Sequence, residues 1–272
     1  MKVAALQMVS SADIRTNLDT ARGLLEQAAQ QGAELAVLPE YFCMLGFKDT
    51  DKLQFAEQPG QGPLQDFLGR CAHELGLWIV GGTVPLATGA AEAPVKQVFN
   101  STLVYGPTGQ CTARYDKMHL FRFDNGRESY DESRVLQPGR QPVTFDLPSR
   151  DGSTWRIGLS ICYDLRFPEL YRALKADLLL VPSAFTFTTG QAHWEILLRA
   201  RAIENLAYVL ASAQGGTHEN KRRTWGHSMV VDPWGQILAQ QAEGPGVVMA
   251  ELLKARLEAE RLRLPALNHG VL

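Results

Sequence analysis

The chain has 272 residues, of which 45% are hydrophobic and 21% charged, and its formal net charge is −2. That length supports one large α/β domain with a substantial buried core. The near-neutral balance argues against a basic nucleic-acid face, and no run of about 18 apolar residues is present to cross a membrane. The predicted elements begin with a strand over Val3–Met8, too short and without the cleavage pattern of a signal peptide, which points to a cytoplasmic protein. Ile14, Leu18, Ala21, Leu25 and Ala28 recur at helical spacing, and Gly32 is placed to end that helix. Leu35–Leu38 is a continuous apolar strand of the kind a covered sheet contains. Pro63 opens a second helix with Leu64, Phe67, Leu68, Cys71 and Leu75 on one face, Gly76 closes it, and Leu77–Val80 returns to strand.

Phe99–Tyr105 and Cys111–Asp116 flank the turn Gly106-Pro-Thr-Gly109 and read as a hairpin. Arg122–Pro148 is polar and aperiodic, and reads as a long loop beside the site. Strand character resumes over Trp155–Ile161, followed by a short helix Pro168–Lys175 and a buried strand Asp177–Val181. Gln191–Leu206 forms a long helix with Ile196, Leu197, Ala200, Ile203 and Ala207 facing inward. Strands at Tyr208–Ser212, Ser228–Val231 and Gln236–Ala239 follow. No composition break, repeat or low-complexity tract divides the chain, so residues 1–272 are expected to form a single domain of mixed α/β type.

Cys43, Cys71, Cys111 and Cys162 are far apart in sequence, without a C-x-x-C pair, so reduced thiols are expected. Cys71 and Cys111 read as packing residues, and Cys43 as loop packing. Cys162 differs. It lies in Ile157-Gly-Leu-Ser-Ile-Cys-Tyr-Asp-Leu-Arg-Phe-Pro-Glu169, where an apolar strand runs out into a charged and aromatic turn. Two other strand tips carry chemistry in the same way: Leu35-Ala-Val-Leu-Pro-Glu-Tyr-Phe42 ends in Glu40, and Ala113-Arg-Tyr-Asp-Lys-Met-His-Leu-Phe121 carries Lys117. Alone, each residue has a bland reading as loop charge or packing. Together, a carboxylate, an ammonium and a thiol at three strand mouths are the parts of an acyl-transfer site.

These three blocks closely resemble the signature blocks of the nitrilase superfamily, the carbon-nitrogen hydrolases with a Glu-Lys-Cys site, and the resemblance spans Val3 to about Pro265. It implies a four-layer α-β-β-α sandwich and a homodimer or larger assembly. Within that chemistry Cys162 would attack an amide carbonyl, a neighbouring ammonium favouring its thiolate. Lys117 and the backbone N–H of Tyr163 would hold the oxyanion, and Glu40 would act as general base and then general acid. The resemblance adds Glu132, in Glu132-Ser-Arg-Val-Leu-Gln-Pro-Gly139, as the carboxylate that orients the lysine, with Glu128 a decoy lacking the Pro-Gly at the matching distance. It also places His119 beside the lysine as an ordering residue.

Two branches fit best. Cys162–Leu170 and Thr189–Glu204 resemble both the ω-amidases, which act on 2-oxoglutaramate and 2-oxosuccinamate, and the deaminated-glutathione amidases. Ala213–Arg222 with Gly226–Gly235 looks more like the second. Gln191 stands where proline is usual, and Arg122–Asp131 is more polar than the pattern. A substrate with a carboxylate at each end calls for a cation at each end. Arg166 is the expected contact for the 2-oxo acid end, and Arg222, in the basic run Lys221-Arg-Arg223, for the far carboxylate. Trp194 reads as core, and Glu195 as a site support or helix cap.

Other motifs fail. Gly158-Leu-Ser-Ile-Cys162 lacks the last glycine of a serine elbow, so Ser160 should point into the sheet. His73-Glu74 and His218-Glu219 lack the second histidine of a zinc helix, and the six histidines are dispersed. No cofactor, metal, nucleic acid or membrane partner is expected; the partner is a small carboxylated amide. The competing non-enzyme reading is a catalytically silent binding subunit, which an intact Glu40, Lys117 and Cys162 disfavour.

Overall fold

The computed structural model describes residues 1–89 and 95–271. Two mixed sheets dominate. The first runs Gly246–Glu251, Lys2–Gln7, Leu35–Val37, Trp78–Val80, Val98–Tyr105, Val84–Ala87 across its width, and Cys111–Asp116 pairs with Val98–Tyr105 as the expected hairpin. The second runs Ile237–Gln241, Ser228–Val231, Tyr208–Ala211, Leu178–Leu180, Thr154–Leu159, Thr144–Pro148. Each sheet holds three neighbouring parallel strands flanked by antiparallel ones.

The period-2 alternation of a strand explains the layering. On Lys2–Gln7, Val3 and Ala5 point into the core shared with the second sheet. Ala4 and Leu6 point the other way, against Ala21, Leu24, Leu25 and Ala28 of helix Ile14–Gln30 and Leu64, Leu68 and Cys71 of helix Pro63–Leu75. Beyond the second sheet, helices Pro168–Leu174 and Phe187–Asn205 pack through Leu170, Tyr171, Leu174, Trp194, Leu198 and Ala202. The result is the expected α-β-β-α sandwich. The helix termini follow their sequence signals: Asp13 accepts the Thr16 N–H at 2.7 Å, and Gly76 closes its helix at φ 62°.

Several expectations are corrected. Arg122–Pro148 is not one loop: it contains the hairpin Arg122–Asp124/Ser129–Asp131, the turn Glu132–Arg134 and the sheet-edge strand Thr144–Pro148. These elements are too short to show periodicity. Strands Val84–Ala87, Gly215–Thr217, Arg223–Trp225 and Gly246–Glu251 and helix Lys254–Arg263 also went unread. The long helix starts at Phe187, not Gln191, because packing overrides the poor helix formers of its first turn. Gly190 is required there, since a Cβ would lie 2.3 Å from that of Trp225. The inward face is also rotated from the expected one: Trp194, Leu198, Arg201, Ala202 and Asn205 are buried, whereas Ile196 is 69% and Ile203 47% exposed. This helix is apolar on both faces, so spacing alone could not choose. Cys111 is exposed rather than packed, while Cys43 and Cys71 are buried. Ser160 does point into the sheet, bonded to Tyr171 Oη and the Leu180 carbonyl at 2.7 Å each.

Candidate active site

The site forms at the carboxyl ends of the parallel strands, where open α/β sheets present their loops. Strand Leu35–Val37 delivers Glu40, Thr154–Leu159 delivers Cys162, Leu178–Leu180 delivers Ala184, and Cys111–Asp116 hands on directly to Lys117. Two residues here hold left-handed backbone without being glycine, Tyr41 at φ 58° and Cys162 at φ 49°. Such conformations cost roughly 1–2 kcal/mol each and persist where the surroundings over-determine them. At Cys162 the restraint is visible: its N–H donates to the Pro182 carbonyl at 2.9 Å, and Asp164 Oδ2 accepts the Ile161 N–H at 2.8 Å. At Tyr41 the backbone N–H donates to Thr83 Oγ1 at 2.9 Å.

Glu40 and Lys117 are each 1% exposed and joined at 2.9 Å through Glu40 Oε1 and Lys117 Nζ. Asn100 Nδ2 donates to the same oxygen at 2.8 Å, and the Ala184 N–H to Oε2 at 2.9 Å. Lys117 Nζ also lies 2.8 Å from Glu132 Oε2. Glu132 in turn accepts Tyr41 Oη–H at 3.0 Å and the Phe121 N–H at 2.7 Å. The Pro-Gly that singled out Glu132 has a physical use, because the Gly139 N–H donates to the Lys117 carbonyl at 2.8 Å. A Cβ at Gly139 would lie 2.1 Å from the Asp116 carbonyl oxygen. Glu128, the decoy, accepts from Thr188 Oγ1 at 3.3 Å, its one side-chain hydrogen bond among the described residues apart from its own turn.

The charges settle the resting state. Burial works against the Lys117 ammonium, but Glu132 and Glu40 outweigh it and raise its pKa. Burial likewise opposes the Glu132 carboxylate, yet Lys117 holds it below its ordinary range. Cys162 goes the other way from the simple expectation. Burial pushes the thiol well up, Glu40 adds to the push, and Lys117 only partly offsets them. The ammonium is already matched by two carboxylates, so it has little left to stabilise a thiolate. Burial and the neighbouring Glu40 thus favour the neutral form of the Cys162 thiol. Lys117 Nζ has three carboxylate oxygens within 2.9 Å, one of Glu40 and both of Glu132. The Tyr163 N–H, at the start of a single turn, has no backbone acceptor among the described residues. These are the parts that acyl transfer through a thioester requires.

Of the other expected residues, His119 does not touch the lysine side chain. Its Nδ1 lies 2.7 Å from Asp164 Oδ1, its backbone N–H donates to the same oxygen at 3.0 Å, and its ring stacks on Phe167. Asp164, fully buried, also accepts Tyr115 Oη–H at 2.7 Å and so anchors the cysteine turn from below. Arg166 pairs with neither Asp164 nor Glu169; its guanidinium backs the rings of Tyr163 and Phe185 and meets His193 at 3.3 Å. It is not among the residues lining the pocket around the thiol. Arg222 is, together with Glu40, Tyr41, Glu132, Cys162 and Phe185. Its Nη2 donates to the Ala184 carbonyl at 3.3 Å, its Nε is buried without a partner, and its plane faces Tyr130. The neighbouring Arg223 is turned outward onto Glu243 and Phe187. Glu195 lies well inside its helix, paired with Arg199, and neither caps nor supports the site. Trp194 is core, as expected.

Asn100, Asp164 and the Ala184 N–H escaped the sequence reading as site groups. A buried polar residue inside strand Val98–Tyr105 was the one available signal for Asn100. Among the described residues no cluster of histidine, cysteine or carboxylate side chains could hold a metal ion, and no helix is long and apolar enough to cross a membrane.

Comparison with known proteins places the whole chain in a family. A "Deaminated glutathione amidase" of Synechocystis is 42% identical, over 98% of this chain and 97% of the relative. The crystal structure of the C. elegans NitFhit protein superposes with a TM-score of 0.87 at 35% identity, covering 99% of this chain; this chain spans 65% of that one. A glutamate-to-glutamine mutant of the Nesterenkonia sp. AN1 amidase, carrying acrylamide added at its active site cysteine, superposes with a TM-score of 0.76 at 27% identity, covering 97% of this chain and 98% of that one. The sequence profile of the carbon-nitrogen hydrolases matches residues 2–261, and the chain belongs to that family.

Proposed function

We propose that this chain is an amidase that cuts deaminated glutathione, 2-oxoglutaramyl-cysteinylglycine, into 2-oxoglutarate and cysteinylglycine. The observation that carries the reading is a thiol, two carboxylates and an under-partnered guanidinium lining one pocket. The full-length likeness to a relative of that name supports it.

Glu40 takes the proton of the Cys162 thiol as Sγ attacks the amide carbonyl. The carbonyl electron pair becomes an oxyanion, received by the Lys117 ammonium and the N–H of Tyr163. Glu132 holds the ammonium in place, and Asn100 and the Ala184 N–H hold the Glu40 carboxylate. Collapse of the intermediate breaks the C–N bond, and Glu40 delivers its proton to the departing amine. The thioester is then attacked by water, which gives a proton to Glu40, and the thiol is regenerated as 2-oxoglutarate leaves. His119 and Asp164 fix the turn that carries Cys162. Arg222 receives a substrate carboxylate.

Residues 1–272 act as one carbon-nitrogen hydrolase domain in the cytoplasm. The exposed Ile196 and Ile203, with Trp234 49% exposed, suit burial in a homodimer, which light scattering would read. The test of substrate is a product-release assay with deaminated glutathione and 2-oxoglutaramate at equal concentration. Deaminated glutathione should be the faster. A clear preference for 2-oxoglutaramate would instead make this an ω-amidase.

A further inference from the structure

Two cavities, not one, are lined by Arg222 and Tyr41 together. The first holds the thiol. The second lies between the turn Asp49–Phe55 and the loop carrying Arg222, and Lys48, Asp49 and Lys52 complete its charged lining. Lys52 Nζ stands 4.8 Å over the Tyr41 ring, whose hydroxyl reaches Glu132 on the catalytic side. Lys52 forms no ion pair among the described residues, since Glu132 is committed to Lys117 and Asp49 sits on the exposed surface. Burial pushes the Lys52 ammonium down in pKa; Glu132 and Asp49 pull it up, while Arg222 opposes them. Arg222 Nε also lacks a partner. Two under-compensated cations thus face one cavity next door to the nucleophile, and a carboxylate with its two acceptor oxygens matches them.

The place of the thiol decides which carboxylate we assign there. Of the two cavities only the first is lined by Cys162, so an acyl chain held there as the thioester occupies the first and leaves the second to the amine arm. At about 3.3–3.6 Å per extended residue that two-residue arm spans on the order of 7 Å. We propose that Lys52 and Arg222 together seat the terminal carboxylate of the departing amine, so that the enzyme selects amides whose leaving group carries an anion. This rests on the deaminated-glutathione reading above.

The test compares wild type and Lys52→Met on three substrates: deaminated glutathione, its C-terminal glycinamide, and 2-oxoglutaramate. Methionine keeps an apolar stem over Tyr41, and retained 2-oxoglutaramate turnover certifies the fold. Wild type should prefer the acid over the amide by about tenfold or more in kcat/KM, the size of a charged hydrogen-bonded contact. Lys52→Met should lose most of that preference through KM, and Lys52→Arg should restore part of it. If Lys52→Met keeps the full preference, or loses activity equally on all three substrates, the seat is wrong while the amidase reading stands. No turnover of deaminated glutathione by wild type would overturn both.

Discussion

Two buried carboxylate–cation clusters in this protein are near mirror images. At the catalytic end one cation, Lys117, lies between two carboxylates, at 2.9 Å from Glu40 and 2.8 Å from Glu132. At the opposite margin one carboxylate, Asp177, lies between two cations, at 2.6 Å from Lys254 and 2.7 Å from Arg261. The contacts are alike in length, but the environments are not. Lys117 and Glu40 are each 1% exposed and adjoin a thiol on left-handed backbone, whereas Lys254 and Arg261 retain about a quarter of their surface in solvent. Asp177 is closed off further by the Arg156 N–H at 3.0 Å, and the cluster straps helix Lys254–Arg263 to the second sheet. The difference teaches that the sign of the surplus and the neighbours matter more than the contacts themselves. The site holds one carboxylate more than its cation can match, buried beside a thiol; the strap holds one cation more than its carboxylate, part-exposed.

The comparison breaks hardest at the thiol. Cys162→Ala removes the proposed nucleophile and little volume, so turnover should fall to background with the melting temperature unchanged. Residual turnover above background would end the thioester mechanism. Glu40→Gln should lower kcat by roughly 10²–10⁴-fold, the usual weight of a general acid–base. It should also separate two accounts of the thiol. Because burial and Glu40 raise the Cys162 pKa, alkylation of the wild type by iodoacetamide should still be climbing above pH 8.5, where an ordinary thiol is half ionised. Removing the neighbouring carboxylate should shift that curve to lower pH even as turnover collapses. A wild-type midpoint below an ordinary cysteine's would mean a standing thiolate.

Lys117→Arg keeps the charge and should still cost about 10²–10³-fold in kcat. The planar guanidinium cannot place a single N–H at the point where the compact ammonium sits between Glu40 and Glu132. Near-normal kcat in this variant would reduce Lys117 to the role Lys254 has at the strap.

How much of this was legible in the sequence follows from how local each signal is. Glu40 and Cys162 follow apolar strands and Lys117 follows the polar strand Cys111–Asp116, each inside a distinctive run, so both residue and position could be read. The layered fold followed from strand and helix periods in the first half of the chain. Asp164 was visible in the cysteine motif and its bond from the Ile161 N–H is local, but its bonds from Tyr115 and His119 need segments 49 and 45 residues away to meet it. Asn100 and Glu40 are 60 residues apart, and only the packed sheet shows them in contact. Arg166 and Arg222 were equally basic on paper. Which of them enters the pocket is set by the aromatic wall of Tyr163 and Phe185, behind which Arg166 lies. Helix Phe187–Asn205 misled because both of its faces are apolar, and only the sheet beneath decides which is buried.

The strap offers the smallest and cleanest contrast. Asp177→Asn should leave kcat unchanged while lowering stability by about 1.5–3 kcal/mol, the range for hydrogen bonds to a charged group, and toward its lower end because Lys254 and Arg261 are partly solvated. Burial alone would raise the Asp177 pKa, but the Lys254 and Arg156 donors and the two cations hold it below its ordinary value. A depressed folded-state pKa means the contribution is complete above the unfolded value near 3.9 and disappears as pH falls through the folded value beneath it. The gap in urea midpoint between wild type and Asp177→Asn should therefore be flat from pH 8 to pH 5 and narrow below about pH 4. A gap that stays constant into acid would show that the asparagine costs packing rather than charge. A loss of kcat with stability intact would mean that the strap is coupled to the site after all, since none of its three side chains touches the thiol pocket.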